Sequence, residues 1–516
     1  MSAADANAAD PRVRRRSALL LGSVFVVASC GLIYELLAGA LSSYLVGSSV
    51  TQFSIVIGLF MFAMGIGSFL SRYVTRAPLT VFVAVEIAVG VAGGVSGLLL
   101  FYAFTFLSLY LPWLVLMTLV VGSLVGLEIP LVIRVLKERE AFASAVSSVL
   151  ALDYIGALLA SLLFPLVLVP SLGLVRTGFL FGLLNVAVAG LALWRLGHEI
   201  KRVRTLRLAA AMSAALLCAG LVTAGGLTRL AEDHLYQDEI LLAKDSVYQR
   251  IVLTRWRDDV RLYLNGHLQF SSVDEARYHE SLVHPVMAAV PGARRVLILG
   301  GGDGMAAREV FKHASVEQVD LVDLDPEVTA LFRSRRMLLE LNRGALDDPR
   351  LRLHHTDAAK FLEQSEESWD AIIIDLPDPS SPSLARLYSK SFYSQLRRRL
   401  SARGAFVTQA TSPFYAGDAF WCIVSTIEEM LPQGRAYPYH VNVPSFGEWG
   451  FVLAAPRPLD LGDLRLEVPT RFLSAELMPS LFLFPRDMQR REVEANRLNR
   501  PVVMRYYERG WKRFND

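Results

Sequence analysis

Two patterns of apolar and polar residues divide the 516-residue chain near residue 230. Before that point, long apolar stretches alternate with short polar loops, and each stretch is about long enough to cross a bilayer as a helix. After it, short apolar runs alternate with amphipathic stretches, which is typical of a globular α/β domain. The pattern predicts an N-terminal all-α transmembrane bundle over residues 17–230, preceded by a tail over residues 1–16.

Seven apolar windows in the first half are candidate membrane spans. They cover residues 17–38, 53–70, 79–104, 111–135, 143–169, 172–194 and 208–227. Lysine and arginine residues cluster at alternate ends of these windows, and the first cluster comprises Arg12, Arg14, Arg15 and Arg16. The positive-inside rule therefore places the N-terminal tail in the cytoplasm.

Four acidic residues interrupt the apolar windows, namely Glu35, Glu86, Glu128 and Asp153. A carboxylate is costly inside a membrane, so each is a functional candidate. One interpretation is a path or pocket for a cation. The other is that these side chains form hydrogen bonds between helices or lie near the membrane interface.

The second half begins with a small antiparallel β unit, expected over residues 236–275 after a polar connector over 229–245. Its strands are predicted at 248–253, 260–264 and 268–270, and Asn265-Gly266 between the last two is a hairpin signal. An alternating β–α pattern follows over residues 276–456. The tail over residues 457–516 is mixed in character, and the sequence assigns it no function.

A glycine-rich turn marks the start of the β–α region. The apolar run at 296–299 ends in Gly300-Gly301-Gly302-Asp303-Gly304, and a helix is predicted directly after it. This order is that of the first strand, loop and helix of a Rossmann-like fold that binds nucleotides. Glycines let the backbone turn tightly and approach a ligand closely.

Carboxylates stand at the ends of several predicted strands of this domain. Besides Asp303, they are Asp323, Asp357 and Asp375. Ligands of open α/β sheets bind outside the carboxyl ends of the strands, so these acids are expected to face one crevice. Such a crevice repels phosphate, which argues against NAD or ATP, and attracts a sulfonium nucleoside. Asp303 also disfavours the carboxylate of an intact methionine tail and favours a decarboxylated tail that ends in an ammonium.

Composition argues against two further classes of function. The net charge is only +3 and no basic stripe is interleaved with aromatic residues, so no nucleic-acid partner is expected. Cys30, Cys218 and Cys422 lie far apart and form neither a metal-binding pair nor a disulfide framework. We expect no metal site.

An ordered set of motifs over residues 246–455 resembles the spermidine synthase family, the polyamine aminopropyltransferases. The set comprises Tyr278-His279-Glu280, the loop Gly300–Gly304, Asp323-Leu324-Asp325, Asp375-x-x-Asp378-Pro379 and Gln409. The N-terminal half resembles the membrane-anchored branch of that family. The resemblance implies an S-adenosylmethionine-dependent transferase fold. It also implies decarboxylated S-adenosylmethionine as co-substrate, with no permanently bound cofactor.

The resemblance also implies a role for each matching residue. On the co-substrate side, Gln249 and Asp323 would hold the ribose, Asp357 the adenine amino group, and Asp303 with Asp375 the aminopropyl ammonium. The loop glycines Gly300 and Gly302 would line the same ligand. On the acceptor side, Asp375 would be the base or orienting acceptor with help from Tyr278, and His279 and Asp378 would line the diamine. His284 and His313 are expected to be structural.

The acceptor is less well defined than the transfer chemistry. The family commonly has a Pro-Thr-Tyr segment whose tyrosine contacts the diamine, and here it reads Pro444-Ser445-Phe446. Ser380-Ser381-Pro382 likewise replaces a glycine-bearing loop. Putrescine or a related diamine is therefore the default acceptor and not a deduction.

The apolar windows and the resemblance together predict location and assembly. We expect a multi-pass protein of the cell membrane, in contact with the lipid bilayer, that forms a dimer or tetramer. A cytoplasmic nucleotide substrate favours a cytoplasmic catalytic domain, whereas seven spans after a cytoplasmic N-terminus would put it outside. Two other functions stay open: an S-adenosylmethionine-dependent methyltransferase, and a membrane polyamine transporter or sensor with a ligand-binding globular domain.

Overall fold

The computed structural model describes residues 11–46, 49–107, 110–137, 142–236, 238–431 and 435–515. The chain separates into two compact units, Met1–Gln237 and Asp238–Asp516. Residues 1–10 of the predicted tail lie outside the described residues.

In the described residues of the first unit, all secondary structure is helical, as the long apolar stretches predict. Its helices are α1 (Pro11–Val46), α2 (Ser49–Leu70), α3 (Pro78–Leu107), α4 (Tyr110–Leu136), α5 (Phe142–Leu163), α6 (Val169–Arg195) and α7 (Val203–Tyr236). A π-helical segment, Phe164–Leu168, joins α5 to α6.

The prediction of seven membrane spans is wrong, because the described residues contain fewer helices of sufficient length and apolar character. In the described residues, 6 helices are long and apolar enough to cross a membrane. Two of the predicted windows run together in one of them, Ala143–Arg195, which is 53 residues long. Gly173 interrupts that run with a non-helical backbone (φ 75°, ψ 172°). Length and composition alone support the membrane assignment of these helices.

Glycines allow the helices of the first unit to approach closely. A Cβ atom at Gly90 of α3 would lie 2.7 Å from the carbonyl oxygen of Gly182 of α6, and one at Gly94 would lie 3.3 Å from the Cα of Gly182. Gly178 in turn approaches the carbonyl oxygen of Gly94. Residue numbers rise along α3 as their partners' numbers fall along α6, so the two helices pack antiparallel. They meet through small residues, as is common between membrane helices.

The second unit begins with a four-stranded antiparallel sheet in the order β1-β2-β3-β4. The strands are β1 (Glu239–Asp245), β2 (Arg250–Trp256), β3 (Asp259–Leu264) and β4 (His267–Ser271). The small β unit is therefore confirmed, but part of the predicted polar connector is wrong, because residues 239–245 form β1. That strand pairs with β2 along its whole length.

A seven-stranded sheet in the order β10-β11-β9-β8-β5-β6-β7 forms the centre of the second unit. Its strands are β5 (Arg295–Gly300), β6 (Gln318–Asp323), β7 (Leu351–His355), β8 (Trp369–Asp375), β9 (Leu400–Gln409), β10 (Arg435–Val443) and β11 (Gly447–Ala455). Strands β5 to β9 are parallel, and β10 and β11 add an antiparallel edge. The predicted Rossmann-like domain is confirmed.

Helices cover both faces of this sheet. They are α8 (Glu275–Ala289), α9 (Met305–Val310), α10 (Pro326–Ser334), α11 (Arg336–Asn342), α12 (Ala358–Gln364), α13 (Pro382–Ala385), α14 (Lys390–Arg398), α15 (Gly417–Met430) and α16 (Val502–Asn515). In β8, Ile372 and Ile374 join the apolar core on one face and Ile373 joins the core on the other. A strand buried on both faces reads as a continuous apolar run, which explains its sequence.

The tail over residues 457–516 packs onto this domain. Glu280 of α8 accepts hydrogen bonds from the backbone N–H groups of Arg471 (2.6 Å), Phe472 (2.8 Å) and Leu473 (2.8 Å). Asn496 donates to the carbonyl oxygen of Ala385 at 2.7 Å. The tail is therefore bound to the Rossmann-like domain through polar contacts with Glu280 and Ala385.

Candidate functional site

The glycine loop lies directly against the end of the neighbouring strand. Gly300 has φ 86°, and a Cβ atom there would lie 1.9 Å from the carbonyl oxygen of Asp375. Gly302 donates its N–H to Oδ2 of Asp323 at 2.9 Å, and a Cβ atom there would lie 2.5 Å from the same oxygen. The loop therefore requires glycine at both positions, and it brings the ends of β5, β6 and β8 together.

Tyr278 and Asp375 form the closest pair of predicted catalytic groups. The Tyr278 hydroxyl donates to Oδ1 of Asp375 at 2.7 Å. Burial raises the pKa of Asp375, and the charge of His279 opposes that effect. Tyr278 is held by Phe451, with ring centroids 5.4 Å apart, and by Phe446 at 6.0 Å. α8 thus holds the Tyr278 hydroxyl against the Asp375 carboxylate, and the raised pKa of that carboxylate favours uptake of a proton.

His279 lies between two carboxylates. Its Nε2 is 4.0 Å from Oδ2 of Asp303, and its Nδ1 is 3.2 Å from Oε2 of Glu275. Burial lowers the pKa of His279, but the hydrogen bond to Glu275 and the nearby charges outweigh it and raise the pKa to about 9. Burial raises the pKa of the Glu275 carboxyl, but its partners His279 and Arg308 outweigh this effect and lower the pKa to about 2. His279 is therefore an imidazolium at neutral pH.

Asp303 is anchored by the backbone of its own loop. Its Oδ1 accepts a hydrogen bond from the N–H of Met305 at 2.8 Å. Burial raises the pKa of Asp303, and so does the negative charge of Asp375, whereas the positive charge of His279 lowers it; the net shift is upward. Asp303, Asp375 and His279 therefore form one electrostatically coupled group, as expected from their positions after β5, after β8 and on α8.

Asp323 and Gln249 are joined through a third residue, Asp325. Asp323 accepts the N–H groups of Gly302 and Asp325, each at 2.9 Å, and burial raises its pKa to about 6. Gln249 donates its Nε2 to Oδ2 of Asp325 at 2.9 Å. Sequence reasoning did not assign Asp325 a role, although an Asp before Pro326 at a helix start is a capping signal.

Asp357 stands at the next strand end, where it caps α12. It accepts the N–H of Lys360 at 3.0 Å and forms an ion pair with Arg386. The ion pair was not foreseen, because Arg386 is 29 residues away in sequence and lies after the Ser-Pro segment. Oδ1 of Asp357 thus accepts a backbone N–H, and Oδ2 is paired with a guanidinium.

Asp378, which was expected to line the diamine, is half-buried and lies in a cluster of polar side chains. It accepts from Nε2 of Gln409 at 3.3 Å and from Oγ1 of Thr411 at 3.4 Å. Burial raises its pKa to about 6, and hydrogen bonds from Tyr507, Gln409 and Thr411 oppose the rise. Tyr507 belongs to α16 in the C-terminal tail, and no motif in the sequence indicated that it reaches this carboxylate.

Two predicted structural histidines form a separate network. His284 contacts Oε2 of Glu309 through Nε2 at 3.0 Å and Nε2 of His313 through Nδ1 at 3.1 Å. Burial, with the neighbouring His284, lowers the pKa of His313 to about 4. These contacts link α8 to α9 and give both histidines structural partners.

The unusual Pro-Ser-Phe segment is fixed by Asp274, the residue just before α8. Ser445 donates its N–H to Asp274 at 2.6 Å and its hydroxyl at 2.9 Å. Phe446 then lies beside Tyr278 and Trp449. The segment therefore borders Tyr278 and the predicted catalytic pair, without supplying a hydroxyl at position 446.

Comparison with known proteins identifies the family. The spermine/spermidine synthase domain matches residues 275–459. Polyamine aminopropyltransferase 1 of Ralstonia nicotianae is 52% identical, and the alignment covers 98% of each chain. Polyamine aminopropyltransferase of Leptospira interrogans is 46% identical over 96% of this chain and 99% of its own. The solved spermidine synthase from Thermotoga maritima is 29% identical over 48% of this chain and 85% of that chain, with a TM-score of 0.44.

The two full-length relatives include a counterpart of the helical unit, because their alignments extend over nearly the whole of both chains. The motifs at the strand ends and the full-length similarity agree with each other. The chain belongs to the polyamine aminopropyltransferase family and is an enzyme that transfers aminopropyl groups.

Proposed function

We propose that the enzyme transfers the aminopropyl group of decarboxylated S-adenosylmethionine to putrescine or a related diamine. The products are spermidine, or its homologue, and methylthioadenosine. The observation that carries the proposal is the 2.7 Å hydrogen bond from Tyr278 to Asp375 beside Asp303. Partly buried carboxylates of this kind suit a cationic substrate and disfavour a phosphate.

The co-substrate binds along the ends of β5, β6 and β7 in this proposal. Asp323 accepts hydrogen bonds from the ribose hydroxyls. Gln249, which is held by its hydrogen bond to Asp325, contacts the ribose as well. The adenine amino group donates to Oδ1 of Asp357, which it shares with the N–H of Lys360, while Oδ2 stays paired with Arg386. Gly300 and Gly302 let the backbone approach the nucleoside, while Asp303 and Asp375 hold the aminopropyl ammonium.

The chemical step is a direct displacement. A neutral amine nitrogen of the acceptor attacks the carbon attached to the sulfonium, so that a C–N bond forms as the C–S bond breaks. The sulfur keeps the bonding electron pair and leaves as methylthioadenosine. The attacking nitrogen gives up a proton to Asp375, oriented by Tyr278, because a free amine has a pKa near 10.4 and is otherwise protonated.

The acceptor lies between Asp375 and Asp378. Its reacting nitrogen is held at Asp375, and its distal ammonium is held at Asp378. His279 contributes a positive charge that keeps Asp303 and Asp375 from repelling each other when the crevice is empty. Phe446 gives this end of the crevice an apolar wall where the family commonly has a tyrosine.

The protein is proposed to be a multi-pass membrane enzyme with its catalytic unit in the cytoplasm, assembled as a dimer or tetramer. The sidedness depends on the 53-residue run Ala143–Arg195. A single crossing by that run gives an even total and leaves both ends of the chain on one side. A return at Gly173 gives an odd total and puts the catalytic unit opposite the N-terminus.

An acceptor screen tests the proposal. The purified full-length protein is supplied with decarboxylated S-adenosylmethionine and, separately, with putrescine, cadaverine, agmatine or spermidine. We expect methylthioadenosine and the aminopropylated amine in equal amounts, with putrescine preferred. Release of S-adenosylhomocysteine from intact S-adenosylmethionine, without turnover of the decarboxylated form, would instead identify a methyltransferase.

A further inference from the structure

The helical unit contains a second polar site in its core. Glu86 of α3 and Glu128 of α4 are 0% and 3% exposed. Both carboxylate oxygens of Glu86 and Oε1 of Glu128 have no hydrogen-bond partner among the described residues. The hydroxyl of Tyr34 and both polar atoms of the Asn185 side chain are also buried and unpartnered in that part of the chain.

These four side chains come from four helices and converge. Glu86, Gly90 and Gly93 follow helical spacing and share one face of α3. A Cβ atom at Gly93 would lie 2.5 Å from Cζ of Tyr34, and one at Gly90 would lie 3.3 Å from Cβ of Asn185. Glu86 and Glu128 are close enough to interact electrostatically with each other and with Tyr34.

The surroundings leave this cluster without a compensating positive charge. No lysine or arginine of the described helices forms a salt bridge with Glu86 or Glu128: Arg134, for example, donates to the carbonyl oxygens of Ser71 and Val74. The other titratable groups that face the pair are Cys30, Tyr34 and Asp153, none of which is cationic. Two adjacent buried carboxyls cannot both be ionised without a cation, so the empty site must retain a proton.

We propose that Tyr34, Glu86, Glu128 and Asn185 form a binding site for an alkylammonium group, which displaces a proton when it binds. An alkylammonium offers three N–H donors, and the two carboxylates and the Asn185 amide oxygen supply three acceptors. Exchange of one ammonium for one proton leaves the charge of the helical core unchanged. The choice of amines as ligand rests on the proposed function, since the catalytic unit would consume a diamine and produce a longer polyamine.

Carbodiimide labelling tests the site directly. A lipophilic carbodiimide reacts with protonated carboxyls in apolar surroundings, and mass spectrometry of the full-length protein identifies the modified residue. We expect label on Glu86 or Glu128, and we expect putrescine or spermidine to reduce it several-fold. N,N′-diacetylputrescine, which has no ammonium, should give no protection. Absence of label at both residues, or label that is indifferent to amines, would contradict the proposal.

Proton release provides the second measurement. Spermidine added to weakly buffered wild-type protein in detergent should release more protons than it does from Glu86→Gln/Glu128→Gln. Glu35→Gln is the matched control, because Glu35 lies on α1 but outside the cluster, and it should behave as the wild type. Aminopropyl transfer should persist in all these variants. Equal proton release from the wild type and the double variant would overturn the site while leaving the enzymatic proposal intact.

Discussion

At the scale of single residues, the catalytic crevice is defined by how its charges are balanced. Asp303 and Asp375 are partly buried acids whose pKa values are raised by loss of solvent, and His279 between Glu275 and Asp303 is the group that offsets them. Sequence reasoning identified the acids, because each follows a strand. It did not show that His279 carries charge, since that depends on the buried Glu275 one helical turn before it on α8.

The charge on His279 makes a prediction about stability. Its pKa is about 9 in the folded protein, above the ordinary value of 6.5. A raised histidine pKa stabilises the fold fully below pH 6.5, and the contribution is lost as the pH rises through 9. We expect the apparent Tm of the wild type to fall between those pH values, by the equivalent of roughly 3 kcal/mol at most. In His279→Gln that part of the fall should be absent, and an unchanged profile would contradict the assignment.

Asp323 makes a prediction about binding. Its pKa of about 6 means that it is ionised at neutral pH and protonated in mild acid. A protonated carboxyl accepts ribose hydroxyls less well, so the affinity for decarboxylated S-adenosylmethionine should weaken as the pH falls below 6. Calorimetric titration across that range measures it. Asp323→Asn should bind weakly at every pH, and a variant that kept the wild-type pH profile would show that another group is responsible.

At the scale of secondary-structure elements, the tail helix α16 contributes to the crevice. It carries Tyr507 to Asp378, and it is held in place by Tyr415, whose ring stacks on Trp511 with centroids 5.0 Å apart. Residues beyond 459 lie outside the segment that matches the family domain. The tail therefore adds a contact that the motifs of the domain do not encode.

The Tyr507 contact predicts an effect on the acceptor. Loss of a hydrogen bond to a charged group costs about 1.4 kcal/mol or more, so Tyr507→Phe should raise KM for putrescine about tenfold. KM for decarboxylated S-adenosylmethionine should change little. Steady-state kinetics with each substrate varied in turn separates the two. Tyr506→Phe is the matched control on the same helix, and equal effects of both variants would indicate a merely structural role for Tyr507.

At the scale of the whole molecule, apolar periodicity and strand-end acids were sufficient to predict a helical half, a small β unit and a Rossmann-like domain. The predictions failed where the sequence pattern is ambiguous. Residues 239–245 carry an apolar run, 240–243, between charged ends, and the predicted connector overlooked it: they pair with β2 as β1. The windows around Gly173 look like two spans but belong to one helical run with a break. The contacts Asp357–Arg386 and Asp378–Tyr507 depend on tertiary packing and leave no local signal.

Membrane sidedness is a prediction at this scale. A reporter that is active only in the cytoplasm, fused after residue 516, should be active if the catalytic unit faces the cytoplasm. A second fusion truncated after α4 reports the side reached before the run Ala143–Arg195. Activity of an export-dependent reporter at the C-terminus would contradict the cytoplasmic assignment and indicate that the run turns back at Gly173.

In the proposed mechanism, Asp375 takes the proton of the attacking amine while Tyr278 orients its carboxylate. The most direct measurement is the rate of methylthioadenosine and spermidine formation by purified wild type and Asp375→Asn, with decarboxylated S-adenosylmethionine and putrescine both saturating. General-base catalysis contributes about 10²–10⁴-fold, so the variant should lose on the order of that factor in kcat while remaining folded. Turnover of Asp375→Asn at the wild-type rate would contradict the account.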